Sequence, residues 1–344
     1  MTKTLTIIRP DDWHLHLRDG AVLSGTVPAT AQVFHRAIIM PNLTPPIITH
    51  TDAEAYRTRI LAAKPDRVGF EPLMVLYLTD DTTPQHIAEA AASGIIFGAK
   101  LYPAGATTNS SSGVTDPANI YPLYEALEKH GIPLLLHGEV TDDHIDIFDR
   151  EKYFIDRHLS AIRTRFPALK IVFEHVTTKE GVDFVAAQDA LTAATVTPQH
   201  LMLNRNDLLV GGVRPHHYCL PILKRREHQE AIQKVVLEGH PQFFLGTDSA
   251  PHARNAKEAA CGCAGCYSAP AALPLYASFF DAHDALDKLE AFASQFGPAF
   301  YGLPENTDTV TLVKEPWTIP TEQHIDGVEF TPWQGGDTLP WRLA

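Results

Sequence analysis

Short, almost continuous apolar runs recur along the chain, separated by stretches in which apolar residues return every three or four positions. The runs lie at residues 6–16 (broken by Pro10 and Asp11), 34–40, 73–78, 95–101, 133–137, 170–175, 191–196 and 243–247. Their length and near-continuous apolar character predict strands buried on both faces. The intervening periodicity predicts helices over 52–63, 84–92, 121–130, 151–166, 180–187 and 227–238. Some ends are marked, with Thr83 and Pro84 opening one helix and Gly131 following His130 at the close of another. Buried strands alternating with helices predict a parallel sheet covered on both sides, and eight such runs favour a closed (β/α)8 barrel.

The position of the chemically capable residues supports closure. Asn42, Lys100, His137, His175 and Asp248 each end or follow an apolar run, and barrel enzymes hold their sites at the C-terminal ends of the strands. An open doubly wound sheet would gather its ligand at one switch point, served by fewer strands. Two connections are long. Residues 197–223 show no convincing helix and are expected to form a loop over the site, while residues 103–116, rich in Gly, Ser and Thr, are expected to be a mobile lid. Amphipathic segments at 271–280 and 285–296 lead into a proline-rich tail, about 297–344. Its Trp317, Trp333 and Trp341 are expected to dock on a single barrel domain spanning 1–344.

Composition narrows the partners. A 44% hydrophobic content is ample for one large core, and a formal net charge of −13 without a basic cluster argues against a nucleic-acid partner. An anionic small substrate would then need local cations such as Arg18 or metal ions. No apolar span approaches the roughly 18 residues of a membrane helix, and the N-terminus lacks the apolar core of a signal peptide. Four cysteines do not make a disulfide framework in a chain of 344 residues, so a reducing, cytoplasmic setting is expected.

The candidate chemistry begins with His14-Leu15-His16. Strand alternation puts His14, His16 and Arg18 on one side and Trp13, Leu15 and Leu17 on the other. Such a pair alone is more often hydrogen-bonded than metal-bound. Here, however, His137, His175 and Asp248 end later strands, and a buried carboxylate at Asp248 calls for a cation or good hydrogen bonds. Four imidazoles and a carboxylate exceed what one tetrahedral zinc uses, which predicts two metals, with zinc best suited to the nitrogen and oxygen donors. Paired metals need bridging groups. No acidic residue ends the fourth run; Lys100 does. By itself a lysine there would be read as snorkelling to solvent. Beside two dications it must lose its proton, and a neutral amine that captures carbon dioxide becomes a carbamate able to bridge both metals.

These residues resemble the ligand series of the amidohydrolase superfamily. The segments Trp13-His-Leu-His-Leu-Arg-Asp19, Met40-Pro-Asn42 and Gly246-Thr-Asp-Ser-Ala-Pro-His252 are similar to the dihydroorotase family, in its single-domain bacterial and fungal form. The resemblance runs from about residue 12 to about residue 270. It implies a cytoplasmic homodimer with two zinc ions per subunit, which cyclises N-carbamoyl-L-aspartate reversibly to (S)-dihydroorotate in pyrimidine biosynthesis through a bridging hydroxide. It further implies that His14, His16, carbamylated Lys100 and Asp248 hold one metal and that Lys100, His137 and His175 hold the other. Asp248 would be the catalytic acid–base group. Arg18, Asn42 and His252 would grip the substrate carboxylate, with His16, His137 and the backbone of Leu220 and Ala264 also facing substrate. Thr107 and Thr108 would close over it.

Other features are discounted. Cys261, Cys263 and Cys266 suggest a third metal site, but a structural zinc needs a fourth ligand and only Cys219 remains, so a glycine-rich backbone loop is the expected role. His35, His216 and His217 are expected to bind nothing, and no Lys-Ser/Thr follows Gly211-Gly212 to make a phosphate loop. Two alternatives stand beside the main one. A hydantoinase- or allantoinase-like hydrolase would share the metals, although Arg18 and Asn42 favour a carboxylate-bearing substrate. A catalytically silent barrel scaffold would be expected to have lost ligands.

Overall fold

Pro10 and Asp11 divide the first apolar run between two sheets. In the computed structural model, which describes residues 3–344, β1 (Thr4–Ile8) lies outside the barrel and pairs antiparallel with Thr309–Val313 of the tail. The barrel starts with β2 (Asp12–Leu15) and continues through β3 (Arg36–Ile39), β4 (Glu71–Tyr77), β5 (Ile96–Leu101), β6 (Leu134–Leu136), β7 (Ile171–Phe173), β8 (Thr192–Val196) and β9 (Phe243–Leu245). These eight strands form one parallel sheet in sequence order. The (β/α)8 architecture is therefore present.

The ring closes just beyond the strand ends. Asp248 N donates to His14 O at 2.9 Å, and His16 N donates to Ser249 O at 3.1 Å. Beneath them the buried Asp12 carboxylate accepts from Thr247 N at 2.9 Å and from Thr247 Oγ1 at 2.6 Å. One carboxylate thus staples the first barrel strand to the last, close to where the catalytic candidates emerge.

Alternation along the strands separates two cores. Leu135, Val172 and Phe244 fill the barrel interior, whereas Leu134, Leu136, Ile171 and Phe173 face the helices. The expected grouping of Trp13 with Leu15 and Leu17 fails. The register between β2 and β3 shifts between Asp12 and Leu15, so Trp13 joins the interior cluster while Leu15 and Leu17 join the outer one.

The helix at Tyr121–His130 has the predicted bounds, and His50–Ala62, Pro84–Ser93, Lys179–Ala186 and Arg226–Leu237 differ from prediction only at their ends. Thr49 and Asp52 form a capping box at one start, and Gly131 (φ 69°) ends Tyr121–His130 in the left-handed region that an L side chain resists. The segment expected as one helix over 151–166 runs α, π, α, with the π turn at Ile155–Leu159. Leu23–Ala31 is a helix that periodicity did not show, because Pro28 interrupts the pattern.

The expected loop over 197–223 needs correction. It contains short helices at Pro198–Met202 and Arg205–Leu209, capped by Thr197 and Asn204, and such short segments carry too little periodicity to be seen in sequence. The amphipathic segment 285–296 forms a 3₁₀ turn, Leu286–Lys288, and a π turn, Ala291–Gln295, ahead of Phe296–Tyr301. In the tail Trp333 and Trp341 are fully buried and Trp317 is half-buried. Trp341 Nε1 donates to Asp281 Oδ2 at 3.1 Å, and Trp333 Nε1 donates to His217 Nδ1 at 3.1 Å. Among the described residues no helix is long and apolar enough to cross a membrane.

Candidate active site

Six side chains converge at the C-terminal rim of the barrel. His14 sits within β2 and His16 just beyond it, Lys100 is the penultimate residue of β5, His137 follows β6, and His175 and Asp248 lie a short turn past β7 and β9. All six are buried. His16 Nε2 is 3.0 Å and His14 Nε2 3.2 Å from Asp248 Oδ1, so two imidazoles and a carboxylate share one focus. The His14 and His175 ring centres are 5.1 Å apart, and those of His137 and His175 are 4.8 Å apart. Lys100 Nζ contacts the Glu174 carboxylate beneath these rings.

The backbone is turned sharply where the site is built. Arg18 (φ 62°), His175 (φ 43°) and Asp248 (φ 45°) all occupy the left-handed region. Non-glycine residues there cost on the order of 1 kcal/mol each, and such turns persist where surrounding contacts enforce them. In Asp248 the enforcing contact is its own N–H on His14 O, across the closure of the barrel.

Neighbouring side chains orient the rings. Asn42 Oδ1 lies 2.9 Å from His16 Nδ1, and Glu139 Oε2 lies 3.0 Å from His137 Nε2. Each pairing places a proton on the bonded nitrogen and frees the other as a donor to a metal. Glu174 Oε1 is 3.1 Å from His14 Nδ1, without the alignment of a hydrogen bond. Sequence reasoning missed both Glu139 and Glu174. The available signal was proximity: one stands two residues after His137 and the other directly before His175. Tyr102 was missed too. Its buried hydroxyl has no partner, and its ring lies between Tyr77 and His137.

Burial sets the protonation states. It lowers the pKa of His14, His16 (to about 4) and His137, outweighing the opposing pull of Asp248 or Glu139. His175 is lowered strongly, by burial first and then by Lys100 and His137. Burial also drives the Lys100 amine far below its usual range, with Asp248 opposing. At Asp248 burial disfavours ionisation, but His14 and His16 overcome it and hold the carboxyl well below the usual carboxylate range. The outcome is a set of neutral imidazoles around an anionic oxygen, and His175 Nδ1 is buried without any partner. Such donors fit divalent metal ions.

A small cavity lies against this cluster. Arg18, Asn42, Tyr102, Thr107, Thr108, Leu220 and Ala264 line the same small cavity as the histidines. Arg18 Nη2 is 2.8 Å from His252 Nε2, which in turn is 3.0 Å from Ala264 O. Burial, then Arg18, push the His252 pKa down to about 2, so the imidazole is neutral beside the guanidinium. Residues 103–116 lie over the cavity: Asn42 Nδ2 donates to Thr108 O at 3.0 Å, Thr108 Oγ1 to Ala264 O at 3.4 Å, and Asn109 Nδ2 to Asn42 O at 3.0 Å.

The discounted residues take structural partners. His216 pairs with Glu258, His35 with Asp308, and His217 with Trp333. All four cysteines are free thiols. Among the described residues, the groups able to hold a metal are His14–His16–Asp248 and His14–Glu174–His175, neither of which includes a cysteine.

A closed parallel barrel with imidazoles, a lysine and an aspartate gathered at its rim defines a metal-dependent hydrolase, and the chain belongs to the amidohydrolase family, whose model matches residues 4–334. The dihydroorotase of Alcanivorax borkumensis is 69% identical over 344 residues, covering 100% of both chains. Among solved structures, the dihydroorotase of Campylobacter jejuni superposes with a TM-score of 0.92 at 35% identity, covering 100% of this chain and 98% of that one. The Saccharomyces cerevisiae dihydroorotase in complex with 5-fluoroorotic acid also gives 0.92, at 34% identity and 99% and 98% coverage. Within the family the chain stands among the dihydroorotases.

Proposed function

We propose that the chain is a dihydroorotase that interconverts N-carbamoyl-L-aspartate and (S)-dihydroorotate in pyrimidine biosynthesis, with the residues of the barrel rim as its machinery. The observation that carries this is the convergence of His14, His16 and Asp248 on one focus, with Arg18 lining the same cavity. We assign His14, His16, Lys100 and Asp248 as the residues that would hold one zinc ion and Lys100, His137 and His175 as those that would hold a second, with Lys100 present as its carbamate. The strongly lowered pKa of Lys100 supports that modification, because only the neutral amine adds to carbon dioxide. Bound zinc ions would lower the pKa of the attacking water and polarise the amide carbonyl.

The protein's own groups handle binding and protons. Arg18 offers its planar fork to the substrate carboxylate, beside neutral His252. Asn42 Nδ2, now on Thr108 O, is a donor that a bound carboxylate could take over from the loop. Asp248 is held anionic, so in ring opening it takes a proton from the attacking water and returns it to the departing ring nitrogen. In ring closure it removes a proton from the carbamoyl nitrogen. The loop carrying Thr107 and Thr108 covers the cavity and excludes bulk water. We further assign the chain as one barrel domain with its tail packed against it, acting in the cytoplasm as a homodimer.

The test supplies carbamoyl aspartate and dihydroorotate in turn and measures bound metal on the same sample. Interconversion of both with about two zinc ions per chain is expected. Turnover of hydantoin without carbamoyl aspartate would assign the chain to the related cyclic-amide hydrolases instead.

A further inference from the structure

Lys257 ends the short helix Arg254–Lys257 and is buried, with only 4% of its surface exposed. Its three hydrogen-bond acceptors are all backbone carbonyls: Tyr218 O at 2.8 Å, Cys263 O at 2.7 Å and Gly265 O at 2.8 Å. An ammonium has three N–H donors, so each is used. Burying a charge is costly unless it is well solvated by its surroundings. Here three carbonyl dipoles replace water, and they come from two segments far apart in sequence.

Both segments reach the substrate cavity. Leu220 follows Tyr218 by two residues, Ala264 lies between two of the clamped carbonyls, and Leu220, Ala264 and Gly265 line the cavity. The same segments are tied once more by Gly265 N on Tyr218 O at 2.9 Å. Gly265 has a φ of +147°, and a Cβ there would lie 2.8 Å from Ala250 O, so this backbone leaves little room to relax. Ala264 O, at the centre of the clamp, is also the acceptor facing His252 and Thr108.

We infer that Lys257 is a positioning residue for substrate: its ammonium locks residue 218 to residues 263–265, so that the backbone of Leu220 and Ala264 presents a fixed wall to the ring. This role rests on the dihydroorotase activity proposed above. Lys257 is not a catalytic residue, since its Nζ is spent on the three carbonyls and it touches no reacting atom.

The test compares wild type with Lys257→Met, which keeps most of the unbranched side chain but no donor, and with Lys257→Gln, which retains some donor capacity. For Lys257→Met, metal content is expected to match wild type, while KM for dihydroorotate rises about tenfold and kcat changes less than about threefold. The dissociation constant of 5-fluoroorotate, measured by calorimetry, should rise in parallel, and Lys257→Gln should fall between. A folded, metal-loaded Lys257→Met with wild-type KM and wild-type affinity overturns the inference. So does failure of both variants to fold or retain metal, which would assign Lys257 to the fold alone, or a fall in kcat with KM unchanged. Wild-type protein that neither turns over dihydroorotate nor binds 5-fluoroorotate would instead sink both the activity and the role built on it.

Discussion

Lys100 is the residue whose chemistry depends most on its surroundings. It is fully buried, its pKa is driven down by that burial, and it lies among imidazoles and carboxylates at the barrel rim. Lys100→Ala is expected to lose bound metal and activity, and added short carboxylic acids should restore part of both by replacing the bridging oxygens. Full activity in that variant, without added acid, would exclude the carbamate. Glu139 offers a second test at this scale. Its carboxylate pairs with His137 Nε2, and Lys224 Nζ lies 3.8 Å away on its other side. Glu139→Gln should weaken metal binding by roughly 10–100-fold, as removal of an orienting partner commonly does. Competition with a chelator reads this directly, and unchanged affinity would mean that the barrel alone orients His137.

At the scale of elements, the loop over residues 103–116 acts through a few polar contacts. Asn109 is instructive because its side chain donates to Asn42 O at 3.0 Å while its φ is +55°. Alanine there would mix backbone strain with the loss of a hydrogen bond; glycine removes the side chain without that strain. Asn109→Gly should therefore raise KM about fivefold, corresponding to a hydrogen bond of roughly 1 kcal/mol. Steady-state kinetics on dihydroorotate would show it, and an unchanged KM would place the closing energy elsewhere in the loop. The short helices within 197–223 belong to this scale too. They hold His200 through Thr197 and Pro221, next to the segment that brings Leu220 to the cavity.

At the scale of the molecule, the tail is joined to the barrel by charge as well as by tryptophan. Asp281 accepts from Trp341 Nε1, and Lys314 and Lys3 lie 2.5 Å and 3.7 Å from its carboxylate. Burial opposes its ionisation, but Lys314, Trp341 and Lys3 prevail and hold its pKa below the ordinary value. A carboxylate whose pKa is depressed on folding stabilises the fold above its unfolded pKa and ceases to do so as pH falls through its folded value. Asp281→Asn should thus cost about 1 kcal/mol at neutral pH. The difference in Tm from wild type should shrink steadily as pH falls below about 4. A difference that persists at pH 2 would mean that packing, not charge, carries the effect.

Much of this was legible in the chain itself. Buried strands read clearly because near-continuous Leu, Val, Ile and Phe is unusual outside a covered sheet, and the helix at Tyr121–His130 read to the residue because proline and glycine punctuate its ends. His14, His16, Lys100, His137, His175 and Asp248 stood out because polar groups seldom end apolar runs without a reason. What sequence could not show was contact between residues far apart in the chain. Trp13 changed layers through a shift in register, Glu139 and Glu174 gained meaning only beside His137, His14 and Lys100, and Lys257 became a clamp only when three carbonyls closed around it. Local pattern determines which residues are buried and which segments are strands. Protonation states, ring orientations and the shape of the cavity depend on distances set by closure of the barrel, and those exist only in three dimensions.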